Sequence, residues 1–250
     1  MTSETEVDAW APERRESYYA SITDMLIGLL FLFIIMLMYF ALQLRTTTED
    51  LVTAEETRNE LLEKVAGYLR SRDVRAEIDL SAGVLRLPDE ILFEKGRDEP
   101  KAEGGAALRI LAEAMTVNLP CYAYQLSSPR PAECSSYPHH VEAIFIEGHT
   151  DSDPIEGNAR IRDNWDLSAA RASNTFRLIS RYQPGLLAFL TEPAGSEEAR
   201  PLLSVAGYGD QRPVDRGSGE DAKSRNRRID IRFVMAAPKA SATAADPPTQ

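Results

Sequence analysis

Apolar and polar positions alternate in several different rhythms along this chain. Residues 1–17 are polar and acidic, with Glu4, Glu6, Asp8, Glu13 and Glu16 set against Arg14 and Arg15. From Met25 to Leu42 no charged residue occurs. At a rise of about 1.5 Å per residue this run covers roughly 27 Å, enough for the hydrocarbon core of a bilayer. A secretory signal has a shorter apolar part behind a basic N-terminus and ends at a small-residue cleavage site. Here the preceding residues are acidic and no A-x-A follows Tyr39. The run therefore predicts a retained, single transmembrane helix over 18–44. Arg14 and Arg15 precede it while Arg45 and Arg58 follow it, so the flanking charges give no orientation.

After the span the pattern is polar but helical. Leu51, Ala54, Leu61, Val65 and Tyr68 share one 3–4 spacing, interrupted by Arg58. Residues 45–75 thus predict a helical linker, which either pairs with a second copy or stands as a solvated stalk. From Ala76 the alternation shortens. "AEIDLSAGVLRLPDEILF" reads as a hairpin turning at Ser81-Ala82-Gly83. A helix follows Pro100, with Ala107, Leu108, Leu111, Ala112 and Met115 on one face. "VEAIFIEGH" is a buried strand. "WDLSAARASNTFRLISRY" is a helix with Leu167, Ala170, Phe176, Leu178 and Ile179 available for a core face. "LLSVAGYG" and "RRIDIRFVM" are two further strands. This order predicts an α+β domain over 76–236, an α/β sandwich with helices over one mixed sheet. The segments 120–140 and 191–201 read as loops, and 237–250, small and Pro-rich, as a disordered tail.

Composition and charge remove several possibilities. With 28 basic and 39 acidic residues the net charge is -11, which argues against a nucleic-acid partner. Cys121 and Cys134 are too few for a disulfide framework, although an oxidising compartment would permit one bridge between them. His149, Asp151 and Asp153 lack the helical spacing of a metal site, and His139 and His140 have no cysteine in chelating spacing. No metal or resident cofactor is expected. No nucleophile motif and no H-E-x-x-H occurs, so the chain does not read as an enzyme.

The strings "EGHTD" (147–151), "NWDLSAARA" (164–172), "GYGDQRP" (207–213) and "NRRIDIRF" (226–233) carry a resemblance. In this order and at these separations they resemble the OmpA-like peptidoglycan-binding domain, in the form attached to stator proteins of the MotB type, over roughly residues 76–236. In that family an Asp and an Arg grip the diaminopimelate of an uncross-linked peptide stem. The matching residues are Asp151 and Arg171. The chemistry agrees, since an ammonium needs an anionic acceptor and a carboxylate suits a guanidinium fork. Asn164 and Leu167 match the positions that cap and seat the helix bearing Arg171, with Asn164 or Asp166 as the expected N-cap. Of Arg227 and Arg228, one is expected to line the pocket and the other to be solvated or paired with acids. The alternative for Asp151 and Arg171 is a structural ion pair tying strand to helix. "SDPIEGNARIRD" before Asn164 resembles the longer loop of the stator subgroup, whose tip bears on access to the pocket.

Asp24 stands at the head of the apolar run. An ionisable residue at a membrane span is costly and marks a functional position. The alternative is an interfacial residue in the first turn of a helix, favoured by the helix dipole, with Ser21 and Thr23 as caps. A span with such an acid, a linker and this domain resembles the B subunit of ion-driven stators. There the matching Asp binds the translocated proton or sodium ion. "TDMLIGLLFLF", "MYFALQ" and "GVLRLPDEILFEKGR" (83–97) resemble, within that superfamily, the ZorB-type subunits of Zorya anti-phage defence systems. That resemblance implies two copies of this chain within five copies of a MotA-like channel subunit, ZorA. It further implies a cytoplasmic N-terminus, a periplasmic domain bound to peptidoglycan, and a compartment that permits a Cys121–Cys134 bridge. The competing readings are a flagellar stator subunit and a passive wall tether.

Overall fold

The long apolar run does form a helix, and that helix extends well past both ends of the span. In the computed structural model α1 runs from Ala11 to Arg70. The structure describes residues 11–126, 131, 134, 139–155 and 160–237, with the backbone alone for 11–18 and 20. The first ten residues of the acidic tail, the tail beyond 237, much of the 120–140 loop and the loop tip 156–159 lie outside the described residues.

The chain divides into two compact units, Met1–Asp50 and Leu51–Gln250. In the first, every described side chain from Ser21 to Asp50 is exposed, apolar ones included. A helix that is apolar on all sides calls for a hydrocarbon surround. It is the one helix among the described residues long and apolar enough to cross a membrane. Asp24 lies 13 residues after the helix start at Ala11. The dipole benefit fades within the first turn, so that account of Asp24 does not hold. Nor is Thr23 a cap: its hydroxyl donates to the Tyr19 carbonyl inside the helix.

The second unit corrects the expected linker. Leu61, Leu62, Val65, Ala66 and Leu69 are completely or almost completely buried in the same core as the sheet and helices. The second half of 45–75 is therefore a core helix. The periodicity was legible, but a free amphipathic face and a docked one have the same pattern. Arg58 does not break the packing either. Its guanidinium donates to the Leu80 carbonyl, and its side chain fills the space where a Cβ at Gly83 would sit, 2.9 Å away. Gly83 turns the hairpin with φ 67°, in the left-handed region that favours glycine.

The hairpin is β1 (Glu77–Asp79) and β2 (Val84–Pro88), followed by the short helix α2 (Asp89–Leu92) and by α3 (Ala102–Asn118). A short strand β3 (Tyr124–Gln125) precedes β4 (Val141–His149) and α4 (Asn164–Tyr182). Then come β5 (Phe189–Leu190), β6 (Leu203–Gly207), α5 (Glu220–Asn226) and β7 (Arg228–Met235). The main sheet has the order β1-β2-β7-β4-β6, with β4 and β6 parallel and the other pairs antiparallel. β3 and β5 pair separately, and Cys121 is disulfide-bonded to Cys134 nearby in sequence. This is the α+β architecture that the order of elements predicts.

Strand alternation gives the sheet two unlike faces. Leu85, Leu87, Ile144, Ile146, Ile229, Ile231 and Phe233 join the helix-covered core. The expected face of α3 is buried in full, from Ala107 to Met115. On α4 the buried stripe is Leu167, Ser168, Arg171, Ala172, Thr175 and Ile179, whereas Ala170, Phe176 and Leu178 are only half-buried. A stripe that includes Ser, Thr and Arg was hidden from a search for apolar spacing. The helix lies so close to β4 that a Cβ on Gly148 would meet the Ser168 carbonyl at 2.1 Å.

If α1 is part of the core, a fragment starting at 76 will fail to fold cooperatively, while one spanning 51–237 will unfold in a single transition. Leu62→Ala in the longer fragment is expected to cost about 2–5 kcal/mol. Urea denaturation followed by circular dichroism measures both; a stable, cooperative 76–237 fragment would return α1 to the status of a linker.

Candidate functional site

The site is built where β4 ends and α4 begins. Asp163 caps α4, its carboxylate accepting from the Asp166 backbone N–H at 2.9 Å. The expected caps Asn164 and Asp166 serve otherwise. Asn164 donates its amide to the carbonyls of Asp151 and Asp153, at 3.2 and 3.0 Å, and so closes the loop after β4 onto the helix. Asp166 takes the Arg162 backbone N–H and guanidinium instead. From the other side, the Thr150 N–H donates to the Gly209 carbonyl, and the Gly209 N–H to the Ser168 hydroxyl, both at 2.9 Å. The "GYGDQRP" string thereby braces the same strand end, with Gly209 at φ 54°.

These contacts open a cavity of about 290 Å³, lined among others by Lys95, Asp151, Asp153, Asn164, Leu167, Arg171 and Arg227. Five of the six residues expected to bind the wall thus share one pocket. Arg228 does not. It is buried, with its guanidinium on Asp230 at 3.0 Å and on the carbonyls of Asn226 and Arg212. The two residues of "NRR" alternate across the start of β7, so only Arg227 reaches the cavity.

The ion pairs also differ from the alternative reading, in which Asp151 and Arg171 bind one another. Asp151 pairs with Arg227 at 2.6 Å, and Arg227 also donates to Glu220 at 2.8 Å. Arg171 is 1% exposed and pairs with Asp89 at 3.0 Å. Its Nε donates to the Arg97 carbonyl at 2.8 Å, its Nη2 to the Glu94 carbonyl at 3.3 Å, and its plane lies over the Phe93 ring. One guanidinium therefore ties α4 to α2 and to the loop after it, while one edge still faces the cavity.

Asp89 is the residue that sequence reasoning missed. An acid after a proline at the start of a short helix reads as an ordinary surface residue, yet Asp89 is 3% exposed. Burial pushes its carboxyl up to about 6, against the pull of Arg171 and Arg227. Burial likewise lowers Arg171 from its ordinary value, with Asp89 and Asp151 opposing. Asp98 behaves in the opposite way. The bidentate Arg160 guanidinium, at 2.7 Å on each oxygen, holds its carboxyl below the usual range. This pair ties the loop before α4 to the loop carrying Lys95.

A second cluster lies on the polar face of the sheet. Glu147, His149 and Asp230 are each 2% exposed, with potential ligand atoms within 4.8 Å of one another. The carboxylates are already occupied: Arg232 holds both oxygens of Glu147, and Arg228 and Arg86 divide those of Asp230. His149 is pushed down to about 3 by burial and by Arg228, Arg212, Arg232 and Arg86, so it is neutral at physiological pH. An electropositive surround of this kind repels a divalent cation. The cluster is a charge-paired layer beneath the sheet, and His149 stacks on Tyr208 at 5.3 Å within it.

With the geometry in hand, similarity to other proteins can be placed. No family model matches the chain. It is 27% identical over 192 residues to the protein YtxE of Bacillus subtilis, covering 74% of this chain and 64% of that one. It is 24% identical over 181 residues to motility protein B of the same organism, covering 71% of this chain and 56% of that one. The chain thus spans less than two thirds of the length of these curated relatives. Among solved structures, a MotB-like protein from Desulfovibrio vulgaris matches 76% of this chain and 96% of its own with a TM-score of 0.50 at 22% identity. The fold is therefore the MotB-type α/β fold.

Asp89 offers a direct check on the pocket. Its folded carboxyl titrates near 6, against about 4 in an unfolded chain, so the folded state binds the proton more tightly. The stability it contributes is complete below about pH 4 and is lost as pH rises through 6. Relative to Asp89→Asn, the wild type should lose about 3 kcal/mol between pH 4 and 7. Denaturation of both proteins across that range measures this; a pH-independent difference would place Asp89 in water rather than beside Arg171.

Proposed function

We propose that this chain is the wall-anchored, ion-carrying subunit of a stator-type membrane complex. The observation that carries this reading is Asp24. It sits within a continuous helix, not at its end, and at the threshold of a run long enough to span a bilayer. Among the described residues it has no hydrogen-bond or ion-pair partner. A membrane carboxylate requires one, and an enclosing channel subunit is the natural source. A carboxylate withdrawn from water between helices favours its neutral form, so it can take up and release a proton or exchange it for sodium. The likeness to motility protein B supports the same assignment.

The domain supplies the anchor. Asp151 offers an acceptor for the ammonium of diaminopimelate, while Arg227, with the buried Arg171 behind it in the cavity wall, faces its carboxylate. Leu167 and Asn164 shape the wall of the cavity. The topology that follows is a cytoplasmic N-terminus, one membrane crossing and a periplasmic domain, in which the Cys121–Cys134 disulfide is chemically stable. Two such chains inside five MotA-like subunits would form the complete motor. Within that class we assign the chain to anti-phage defence of the Zorya type, as the ZorB-like partner of ZorA. The support is the sequence of the span and of the hairpin region 83–97.

Replacing Asp24 by Asn keeps the size and removes the charge. Cells carrying Asp24→Asn together with a MotA-like channel subunit should lose phage protection by at least two orders of magnitude in plating efficiency (an order-of-magnitude expectation, since removing an essential proton carrier leaves no alternative route). Membrane insertion and wall binding should be unchanged. Full protection would reduce the span to an anchor. For the wall site, the detergent-solubilised full chain should co-sediment with peptidoglycan, and Asp151→Asn should weaken this about tenfold. Undiminished sedimentation would remove Asp151 from the binding site.

A further inference from the structure

Lys95 is a cation of the pocket for which the described residues supply no partner. Asp151 is paired with Arg227, Asp153 with Lys223 at 2.6 Å, and Arg171 with Asp89. Lys95 lines the same cavity but has no hydrogen-bond or ion-pair partner among the described residues. It still senses the pocket acids, since its charge helps to hold Asp153 and Glu220 below their ordinary values, after Lys223 and Arg227 respectively. Its backbone is fixed, unlike that of an ordinary surface lysine. Arg171 donates to the carbonyls on both sides of the Lys95–Gly96 pair, at Glu94 and Arg97. Gly96 bends the loop at φ 72°, and Asp98 is clamped by Arg160 and Asn174. Phe93 and Pro100 close the loop at its base by a β-bridge.

We propose that Lys95 is a specificity-determining residue that pairs with a free carboxylate of the bound peptide stem. This rests on the stem-binding reading of the pocket. A ligand that gives its ammonium to Asp151 and one carboxylate to the arginines leaves Lys95 for a second anionic contact. Besides its C-terminal carboxylate, which is taken up in an amide bond in longer stems, an uncross-linked stem offers two carboxylates with the required chemistry. One is on the diaminopimelate side chain, and the other is the α-carboxylate of the γ-linked D-glutamate. Amidation of the correct one removes the charge while keeping the shape, so Lys95 would let the anchor distinguish amidated from unamidated wall. In this arrangement Arg171 acts mainly as the clamp that holds the lysine in place.

The test uses the full chain in detergent with the tripeptide L-Ala–γ-D-Glu–diaminopimelate, and with two versions amidated at one or the other carboxylate, by calorimetry. Wild type should bind the free acid about fivefold more tightly than one of the amidated peptides, and that peptide identifies the carboxylate. Lys95→Gln should bind the free acid about fivefold more weakly and lose the discrimination, while Lys95→Arg should keep it. Equal discrimination by wild type and Lys95→Gln would overturn the proposal while leaving the stem-binding reading intact. A wild type that binds none of the three peptides would overturn both, and a wild type that binds all three equally would overturn the role of Lys95 alone.

Discussion

A buried arginine holds the α/β domain together at the end that carries its cavity. Arg171 sits on the core face of α4, where an apolar residue would ordinarily be, and its charge must be met within the protein. Asp89 meets it from α2, the carbonyls of Glu94 and Arg97 from the following loop, and the Phe93 ring from beneath. One contiguous stretch, Asp89 to Arg97, thus wraps around a planar group with five donors, which a lysine with its single point charge would not fix in the same way. The position of the cavity follows from this, because the loop that Arg171 pins is one of its walls.

The same principle, charge met by charge out of water, orders the far side of the sheet. Arg86, Arg228, Asp230, Arg232 and Glu147 form a paired layer where alternation would place solvent-facing residues. The single strand β7 in "RRIDIRF" therefore serves two surfaces: isoleucines to the core and charges to this layer. Close backbone approach completes the frame. Gly148 lets α4 rest on β4, and Gly207 lets it rest on β6, where a Cβ would come within 2.6 Å of the Ala169 nitrogen. Strand ends positioned so tightly can hold Thr150 and Asp151 at the pocket with little freedom.

How much of this was legible in the sequence depends on the kind of signal. The hairpin, α3, β4, α4, β6 and β7 announce themselves by apolar period, and the structure has each of them. The cavity residues Asp151, Asn164, Leu167, Arg171 and Arg227 were legible only through the resemblance of their strings to a known domain. What stayed hidden was tertiary. The docking of 61–69 into the core looks the same in sequence as a free amphipathic helix. The partner exchange, Asp151 to Arg227 and Arg171 to Asp89, depends on which side chains meet across sequence separations of 76 and 82. No local pattern encodes such a pairing. Asp163 displaced Asn164 as the cap because both are good caps and only the start of the helix decides between them.

The two ends of the chain place opposite demands on a carboxylate. If the domain anchors the complex to the wall as proposed, it needs acids whose geometry does not change. Asp151, Asp98 and Asp153 each have an arginine or lysine within about 2.7 Å to hold them. In the span, the proposed ion carrier needs an acid whose charge can change, and Asp24 has no basic partner among the described residues of its own chain. A fixed counter-ion beside Asp24 would favour its ionised form and oppose proton uptake. The difference in pairing is therefore what one chain must have if it is to hold still at one end and cycle at the other.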